Sequence, residues 1–124
     1  MIRPIRIRLS RAKGYRLPPN TRSVSRPGPF GNPFTAGDFF GGEPVPEGMD
    51  VRPMLVSSFR EWLEGRHPQF VPGAREKLLA RLPELRDMHL ACWCELPKPG
   101  QRDHCHAAVL IEFVANRERK GGQA

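Results

Sequence analysis

Three cysteines and a histidine near the carboxyl end of the chain are its most reactive side chains. Cys92 and Cys94 stand one residue apart in an apolar run, and side chains two residues apart point to one face of a strand. Cys105 and His106 stand at the start of a predicted helix, where free N–H groups and the helix dipole favour thiolates and bind phosphate. This spacing predicts three sulfur atoms and an imidazole in one small volume.

The chemistry of this cluster is open between a reactive and a structural interpretation. In the reactive one, Cys94 or Cys105 is a catalytic nucleophile or polar contact, and His106 is an acid, a base or a phosphate donor. Such a site would suit a hydrolase or a transferase, although the sequence does not establish an enzyme. In the structural one, the cysteines are small core residues. Because a first-turn histidine adds little to a core, we expect His106→Ala to cost about 1 kcal/mol or less.

A zinc site is a third interpretation of the same residues. Its ligands would be Cys92, Cys94 and Cys105, with either His104 or His106 as the fourth. The Cys-x-Cys spacing is unusual, because structural sites mostly place about two to four residues between paired cysteines. The loop over residues 95–103 is also long for a fixed geometry. We therefore expect no cofactor and no stoichiometric zinc, and we keep His104 as a ligand-binding candidate instead.

A second candidate patch covers residues 25–34, which combine arginine, glycine, asparagine and phenylalanine. Arg26 offers fork-like donors to a phosphate, Gly31 permits close backbone approach, and Asn32 can bind the amide edge of a base. We therefore predict that Arg26, Gly31, Asn32 and Cys92 bind a ligand. The alternative is a turn-rich loop whose phenylalanines fill the core.

The basic side chains are concentrated at the beginning of the chain. Residues 1–26 hold eight arginines and lysines and no acid, whereas the rest holds 12 basic and 13 acidic residues, which gives −1 and leaves the net charge at +7. A localised basic block attracts phosphates and polyanions. The expected partner is a phosphate-bearing small molecule or nucleic acid, and the alternative is a basic arm that only solubilises the protein.

Membrane and secreted classes are not expected. No apolar run approaches the roughly 20 residues of a membrane span, and the first residues lack the apolar centre of a signal peptide. Three cysteines, two of them nearly adjacent, make a poor disulfide framework and suit a reducing compartment. We therefore expect a cytoplasmic protein without a membrane partner. The sequence does not indicate an oligomeric state.

Hydrophobic periodicity predicts one α/β domain over residues 1–124, with a basic strand or arm over 1–12 and a frayed tail over 118–124. Strands are expected over 5–9, at a sheet edge, over 21–26, stopped by Pro27, and over 89–94. Helices are expected over 51–64, with Asp50 as N-cap, over 73–82, and from Asp103 to Arg117. Their buried stripes are Leu55, Phe59, Trp62 and Leu63, then Leu78, Leu79 and Leu82, then Ala107, Leu110, Ile111 and Val114.

This order of elements favours a small Rossmann-like layer structure with a short, mainly parallel sheet and about three helices. Ligands bind such sheets at the carboxyl ends of the strands. That edge would bring Arg26 and its following loop beside Cys94 and its following loop.

Five short motifs follow one another along the chain: KGYRLPPN over 13–20, VSRP over 24–27, GNPF over 31–34, LACWC over 90–94 and CHA over 105–107. Together they resemble a bacterial and phage family catalogued as domain of unknown function 4326, over about residues 5–116. The loop between the two cysteine motifs is longer here than in that family. The resemblance implies no particular reaction, but it implies a common site for Arg26, Asn32, Cys92, Cys94, Cys105 and His106.

Two hypotheses of function follow from the sequence. In the first, the domain handles a nucleotide, a nucleoside or a modified base, either free or within nucleic acid. In the second, it is a non-catalytic nucleic-acid-binding or adaptor module whose cysteines are structural or bind zinc. Salt dependence distinguishes them, because a nucleic-acid binder loses affinity steeply as salt rises.

Overall fold

The computed structural model describes residues 3–26 and 28–122, the last five of them as backbone only. This part of the chain forms three strands and four α-helices. In chain order they are β1 (Arg6–Arg8), β2 (Thr21–Ser23), α1 (Gly37–Phe40), α2 (Arg52–Leu63), α3 (Ala74–Arg81), β3 (His89–Cys92) and α4 (His106–Gly122), with a 3₁₀ turn over Leu82–Leu85 after α3.

The three strands form one parallel sheet in which β3 lies between β1 and β2. Ala91 pairs with Ile7 on one side and with Ser23 on the other. A central parallel strand is covered on both faces, which explains why the β3 side chains of Leu90, Ala91 and Cys92 are all buried. The predicted α/β fold with a short parallel sheet, including β1 at its edge, is confirmed.

Helices α2 and α4 supply much of the core. Phe59, Trp62 and Leu63 of α2 and Leu110 of α4 are buried, as the apolar periodicity predicts. Leu55, Ile111 and Val114 are only partly buried and pack against this core. The periodic stripes therefore identify the right helix faces.

The helix boundaries differ from the predicted ones by a few residues. The N-cap of α2 is Val51, one residue after the predicted Asp50, although the Asp50 carboxylate accepts the backbone N–H of Arg52 at 3.0 Å. Helix α4 begins at His106 rather than at Asp103, and it continues to Gly122, so the tail predicted over 118–124 begins inside the helix. Residues 123 and 124 lie outside the described residues. Among the described helices, none has the length and apolarity needed to cross a membrane.

The long segment between β2 and α2 contributes to the core. Phe30 and Phe34 are buried, and Phe34 stacks on Phe70 with ring centroids 4.1 Å apart. The alternative in which its phenylalanines fill the core is therefore confirmed for these two rings. The predicted strand over 21–26 is shorter than expected, since β2 ends at Ser23, and Pro27 lies outside the described residues.

Candidate functional site

A pocket of about 260 Å³ opens at the carboxyl ends of β2 and β3. This is the edge at which parallel sheets commonly bind ligands. All the predicted site residues except Gly31 belong to its wall, which consists of Ser25, Arg26, Asn32, Arg52, Leu55, Val56, Cys92, Trp93, Cys94, His104, Cys105 and His106. A larger groove of about 460 Å³ between α2 and α4 contains no cysteine or histidine. The smaller pocket is therefore the one that collects the reactive side chains.

The three cysteine sulfurs form a compact cluster. Their Sγ atoms all lie within 4.8 Å of one another, and those of Cys92 and Cys94 are 3.9 Å apart. Cys92 and Cys105 are buried, whereas Cys94 is half-buried, and all three are free thiols. The expectation that the end of a strand and the start of a helix bring these sulfurs together is confirmed.

The imidazole of His106 is oriented by the end of β2. Its Nε2 atom lies 2.6 Å from the backbone oxygen of Val24. Because a carbonyl oxygen only accepts hydrogen bonds, Nε2 carries the hydrogen, and Nδ1 of the neutral ring keeps its lone pair. Nδ1 lies 4.0 Å from Sγ of Cys105. The ring therefore presents an acceptor nitrogen to the sulfur cluster.

The expectation that His106 contributes little to the core is wrong. The residue is only 7% exposed, and its ring stands edge-on to Phe59 with centroids 5.5 Å apart. The first turn of α4 faces the end of the sheet instead of solvent, so its histidine packs between β2 and α2. His106 thus has a structural role, whatever its role toward a ligand.

The three thiols differ in acidity because they hydrogen-bond to one another. Hydrogen bonding with Cys105, and then with Cys94, lowers the pKa of Cys92 well below that of an ordinary thiol. Hydrogen bonds to Cys92 and Cys94, together with burial, raise the pKa of Cys105. The backbone N–H of Ala107 acts in the opposite direction on Cys105, as a helix start should, but it is outweighed. Hydrogen bonding within the cluster thus shifts the pKa values of Cys92 and Cys105 in opposite directions.

Arg6 of β1 forms hydrogen bonds with both ends of the loop that separates the two cysteine motifs. Its guanidinium donates hydrogen bonds to the backbone oxygens of Cys94, at 2.6 Å, and of Glu95. It also donates to the carboxylate of Asp103 at 2.8 Å, and its side chain is only 5% exposed. Burial alone would lower the pKa of Arg6, but the hydrogen bond to Asp103 raises it above its ordinary value. Arg6 is therefore a buried cation.

This arginine explains why a long loop does not spread the cluster apart. Residues 95 and 103 begin and end the loop, and both are bound to Arg6. The long loop is therefore compatible with a compact sulfur cluster, and the expectation that its length disfavours a fixed metal geometry stays a prediction. Sequence reasoning missed Arg6 because the alternation in β1 places its basic residues in solvent, whereas Arg6 is buried and Ile5 is 56% exposed. No spacing rule connects a strand arginine with an aspartate that follows 97 residues later.

Arg26 brings a positive charge to the pocket. It is exposed, and it forms no hydrogen bond or ion pair with the residues that the structure describes. Gly31 lies against it, since a Cβ atom at Gly31 would come within 2.5 Å of Cγ of Arg26. Gly31 is outside the pocket wall, so the structure gives it a packing role beside Arg26.

Asn32 and His104 both belong to the pocket wall but differ in their surroundings. Asn32 is buried; its Nδ2 donates to the backbone oxygen of Leu55 at 3.1 Å, and its Oδ1 accepts the N–H of Phe34 at 2.9 Å. These bonds occupy one donor and one acceptor of the amide and join the loop to α2. His104 is half-buried and makes no hydrogen bond within the described chain.

Five wall residues were not predicted as site residues, and two of them, Arg52 and Trp93, bring a charge and an aromatic ring to the pocket. Arg52, at the start of α2, is paired with Asp50 at 2.8 Å. Trp93 is 43% exposed, and the guanidinium of Arg11 lies 4.8 Å from the centroid of its ring. Strand alternation assigns Trp93 to the face opposite the cysteines, but β3 ends at Cys92, so this alternation does not extend to Trp93. The tryptophan therefore borders the same pocket as the sulfurs.

The fold and the site define a small α/β domain with a cysteine-rich pocket at the carboxyl edge of a parallel sheet. The chain belongs to the family described as domain of unknown function 4326, whose family model matches residues 7–116. Comparison with curated proteins and with solved structures finds no match. The family identified from the short motifs is thus confirmed, and a cysteine triad that could hold a metal lies within the matched region.

Proposed function

We propose that the pocket binds a ligand of the nucleotide class: a nucleotide, a nucleoside or a modified base, either free or within nucleic acid. One observation carries this proposal. Arg26, which forms no hydrogen bond or ion pair in the described chain, and the exposed Trp93 belong to the same pocket wall. Cys94, Cys105 and His106 line the same pocket, where a hydrolase or a transferase would need them.

The charge of the wall supports binding of a phosphate. Arg26 is exposed and free to form the paired hydrogen bonds that guanidinium groups make with phosphate oxygens. Arg52 adds a second cation, although Asp50 neutralises part of its charge. Arg26 is therefore the primary phosphate contact of this proposal.

The size of the pocket and the position of Trp93 support binding of a base. Pockets for drug-sized ligands span about 300–1,000 Å³, so a volume of about 260 Å³ suits a smaller molecule. An exposed indole offers a face on which a base can stack, worth about 1–3 kcal/mol per base. A base on Trp93 with its phosphate toward Arg26 would occupy the pocket without displacing the core.

The first prediction separates the phosphate contact from the base contact. Arg26→Gln is expected to weaken the binding of a nucleoside monophosphate about tenfold to hundredfold, because a charge-assisted hydrogen bond contributes about 1.5–3 kcal/mol. Binding of the corresponding unphosphorylated nucleoside should change little. Calorimetric titrations of both compounds into the wild-type and variant proteins measure this difference.

A matched control is Arg16→Gln, since Arg16 is also exposed and basic but lies outside the pocket wall. It should leave both affinities unchanged. Equal losses for the two compounds, or equal losses in the two variants, would contradict the assignment of Arg26 to the phosphate.

A second candidate function, binding of single-stranded nucleic acid, is favoured by a neighbouring groove. This groove of about 430 Å³ is lined by Arg8, Leu9, Ser10, Arg11 and Trp93, so Trp93 borders both cavities. Basic side chains beside an exposed aromatic ring are the usual elements of a single-strand binding surface. A strand in the groove would place a base on Trp93 at the mouth of the pocket.

Salt dependence tests this second candidate. With phosphate contacts from Arg8, Arg11 and Arg26, the affinity for a short single-stranded oligonucleotide should fall with a log–log salt slope of about −2, because each contact contributes about −0.7. Arg11→Gln should make the slope less steep by about 0.7, the contribution of one contact. Arg66→Gln should leave the slope unchanged, because Arg66 is exposed and far from the groove in sequence. A slope near zero would remove the nucleic-acid candidate and leave the free nucleotide.

A further inference from the structure

The geometry points to a zinc ion bound by the sulfurs of Cys92, Cys94 and Cys105 and by Nδ1 of His106. Nothing in the proposed binding of a nucleotide requires this ion, so nucleotide binding and metal binding are tested separately. A catalytic role of Cys94, Cys105 or His106 is the alternative to this zinc site, because a four-coordinate ion would occupy these side chains. The inference also reverses the expectation of a zinc-free protein, which depended on the Cys-x-Cys spacing and on the length of loop 95–103. Arg6 binds residues at both ends of that loop, and the sulfurs of Cys92 and Cys94 lie 3.9 Å apart despite their short spacing, so both features are compatible with a common ion.

The spacing of the sulfurs fits a tetrahedral ion. Zn–S bonds of about 2.3 Å place the sulfurs of a tetrahedral site about 3.8 Å apart. The distance between the sulfurs of Cys92 and Cys94 is 3.9 Å, and no pair in the cluster exceeds 4.8 Å. Cys94 is half-buried and lines the pocket, so its side chain has room for the small rotation that three equal Zn–S distances would require.

The orientation of His106 is that of a zinc ligand. Histidine ligands typically donate their second ring N–H to a backbone carbonyl or a carboxylate, which directs the lone pair of the other nitrogen at the metal. In this protein Nε2 binds the oxygen of Val24, and Nδ1 lies 4.0 Å from Sγ of Cys105. A tetrahedral site requires about 3.5 Å between a sulfur and a nitrogen ligand. Nδ1 is therefore near the required distance from the sulfur of Cys105, and the hydrogen bond from Nε2 to Val24 leaves Nδ1 as the nitrogen available to a metal.

The charge around the cluster suits a three-thiolate site. Three thiolates and Zn²⁺ sum to −1, and the buried cation Arg6 donates a hydrogen bond to the backbone oxygen of Cys94 at 2.6 Å. Two of the three cysteines and His106 are buried. Four protein ligands fill a tetrahedral shell, which is the arrangement of structural zinc sites. The ion would thus join the end of β3 to the start of α4 and stabilise the wall of the pocket.

Metal analysis of the full chain tests the proposal directly. Protein produced with zinc present and purified without chelators should carry one zinc ion per chain by elemental analysis and by native mass spectrometry. After exchange, Co²⁺ should give the visible bands of a tetrahedral site and a thiolate-to-metal charge-transfer band in the near ultraviolet. If the folded, reduced protein binds neither ion, the proposal is overturned.

The number of thiolates is tested with Cys94→Ser. Cys94 is the least buried of the three cysteines, so its replacement by serine should disturb folding least. The charge-transfer intensity per bound Co²⁺ should fall by about one third. The affinity for Zn²⁺ should fall by a factor of about 10 or more. An unchanged intensity would overturn the three-sulfur assignment.

The fourth ligand is tested by comparing two glutamine variants. His106→Gln keeps an N–H near the position of Nε2, and hence a donor for Val24, but it lacks the Nδ1 lone pair. X-ray absorption of the zinc-loaded protein should show imidazole scattering in the wild type and in His104→Gln, and none in His106→Gln. Loss of this signal in His104→Gln with its retention in His106→Gln would overturn the assignment to His106.

Discussion

Replacing Arg6 with methionine is expected to lower the free energy of unfolding by about 3–5 kcal/mol, the scale observed when one partner of a buried ion pair is removed. The substitution leaves the carboxylate of Asp103, whose side chain is only 17% exposed, without its cation. It also removes the donors to the backbone oxygens of Cys94 and Glu95. Urea denaturation of both proteins in the presence of a chelator measures the loss without a contribution from metal.

The same strand offers a matched control two residues further on. Arg8 is exposed, and its guanidinium lies 3.9 Å from the carboxylate of Glu95. Exposed pairs of this kind contribute about 0–1 kcal/mol, so Arg8→Met should have little effect. The difference between the two variants is the informative quantity. If the free energies of unfolding of Arg6→Met and Arg8→Met agree within about 1 kcal/mol, Arg6 does not hold the loop in solution.

Much of the fold could be predicted because the spacing of apolar residues indicates which faces of the helices and strands are buried. Phe59 and Leu110 follow the helical period, and their burial follows from it. The strand β3 was recognisable as a short apolar run, and a crossover rich in helix then required parallel pairing. The proximity of Cys94 and Cys105 also followed, since both stand at the carboxyl edge of such a sheet.

The parts that could not be predicted depend on polar contacts between distant residues. A charged side chain in a short strand is expected in solvent, and only the position of Asp103 shows why Arg6 is inside. The orientation of Trp93 could not be predicted either, because it requires knowing that β3 ends one residue before it. Asn32 was recognised as important, but its bonds to Leu55 and Phe34 appear only in the folded chain.

His106→Ala is expected to destabilise the protein by about 2–4 kcal/mol, more than the lost helix-start interaction first expected. A buried acceptor without its partner costs about 1–3 kcal/mol, and the oxygen of Val24 loses such a partner. Truncation of a buried ring also leaves a cavity beside Phe59, which adds to the cost. Denaturation of the metal-free protein measures these two terms together.

Two companion variants show which property of His106 matters. His106→Gln should cost only about 1 kcal/mol, because its amide can still donate to Val24, so that mainly the ring contact with Phe59 is lost. His104→Ala, two residues earlier in the same pocket wall, should cost less than about 0.5 kcal/mol, since His104 makes no hydrogen bond to the described residues. If His106→Ala proves as mild as His104→Ala, the bond to Val24 contributes nothing measurable to stability. A large loss in His106→Ala that His106→Gln largely restores would instead identify the donated hydrogen bond as the stabilising contact and leave Nδ1 available to a metal.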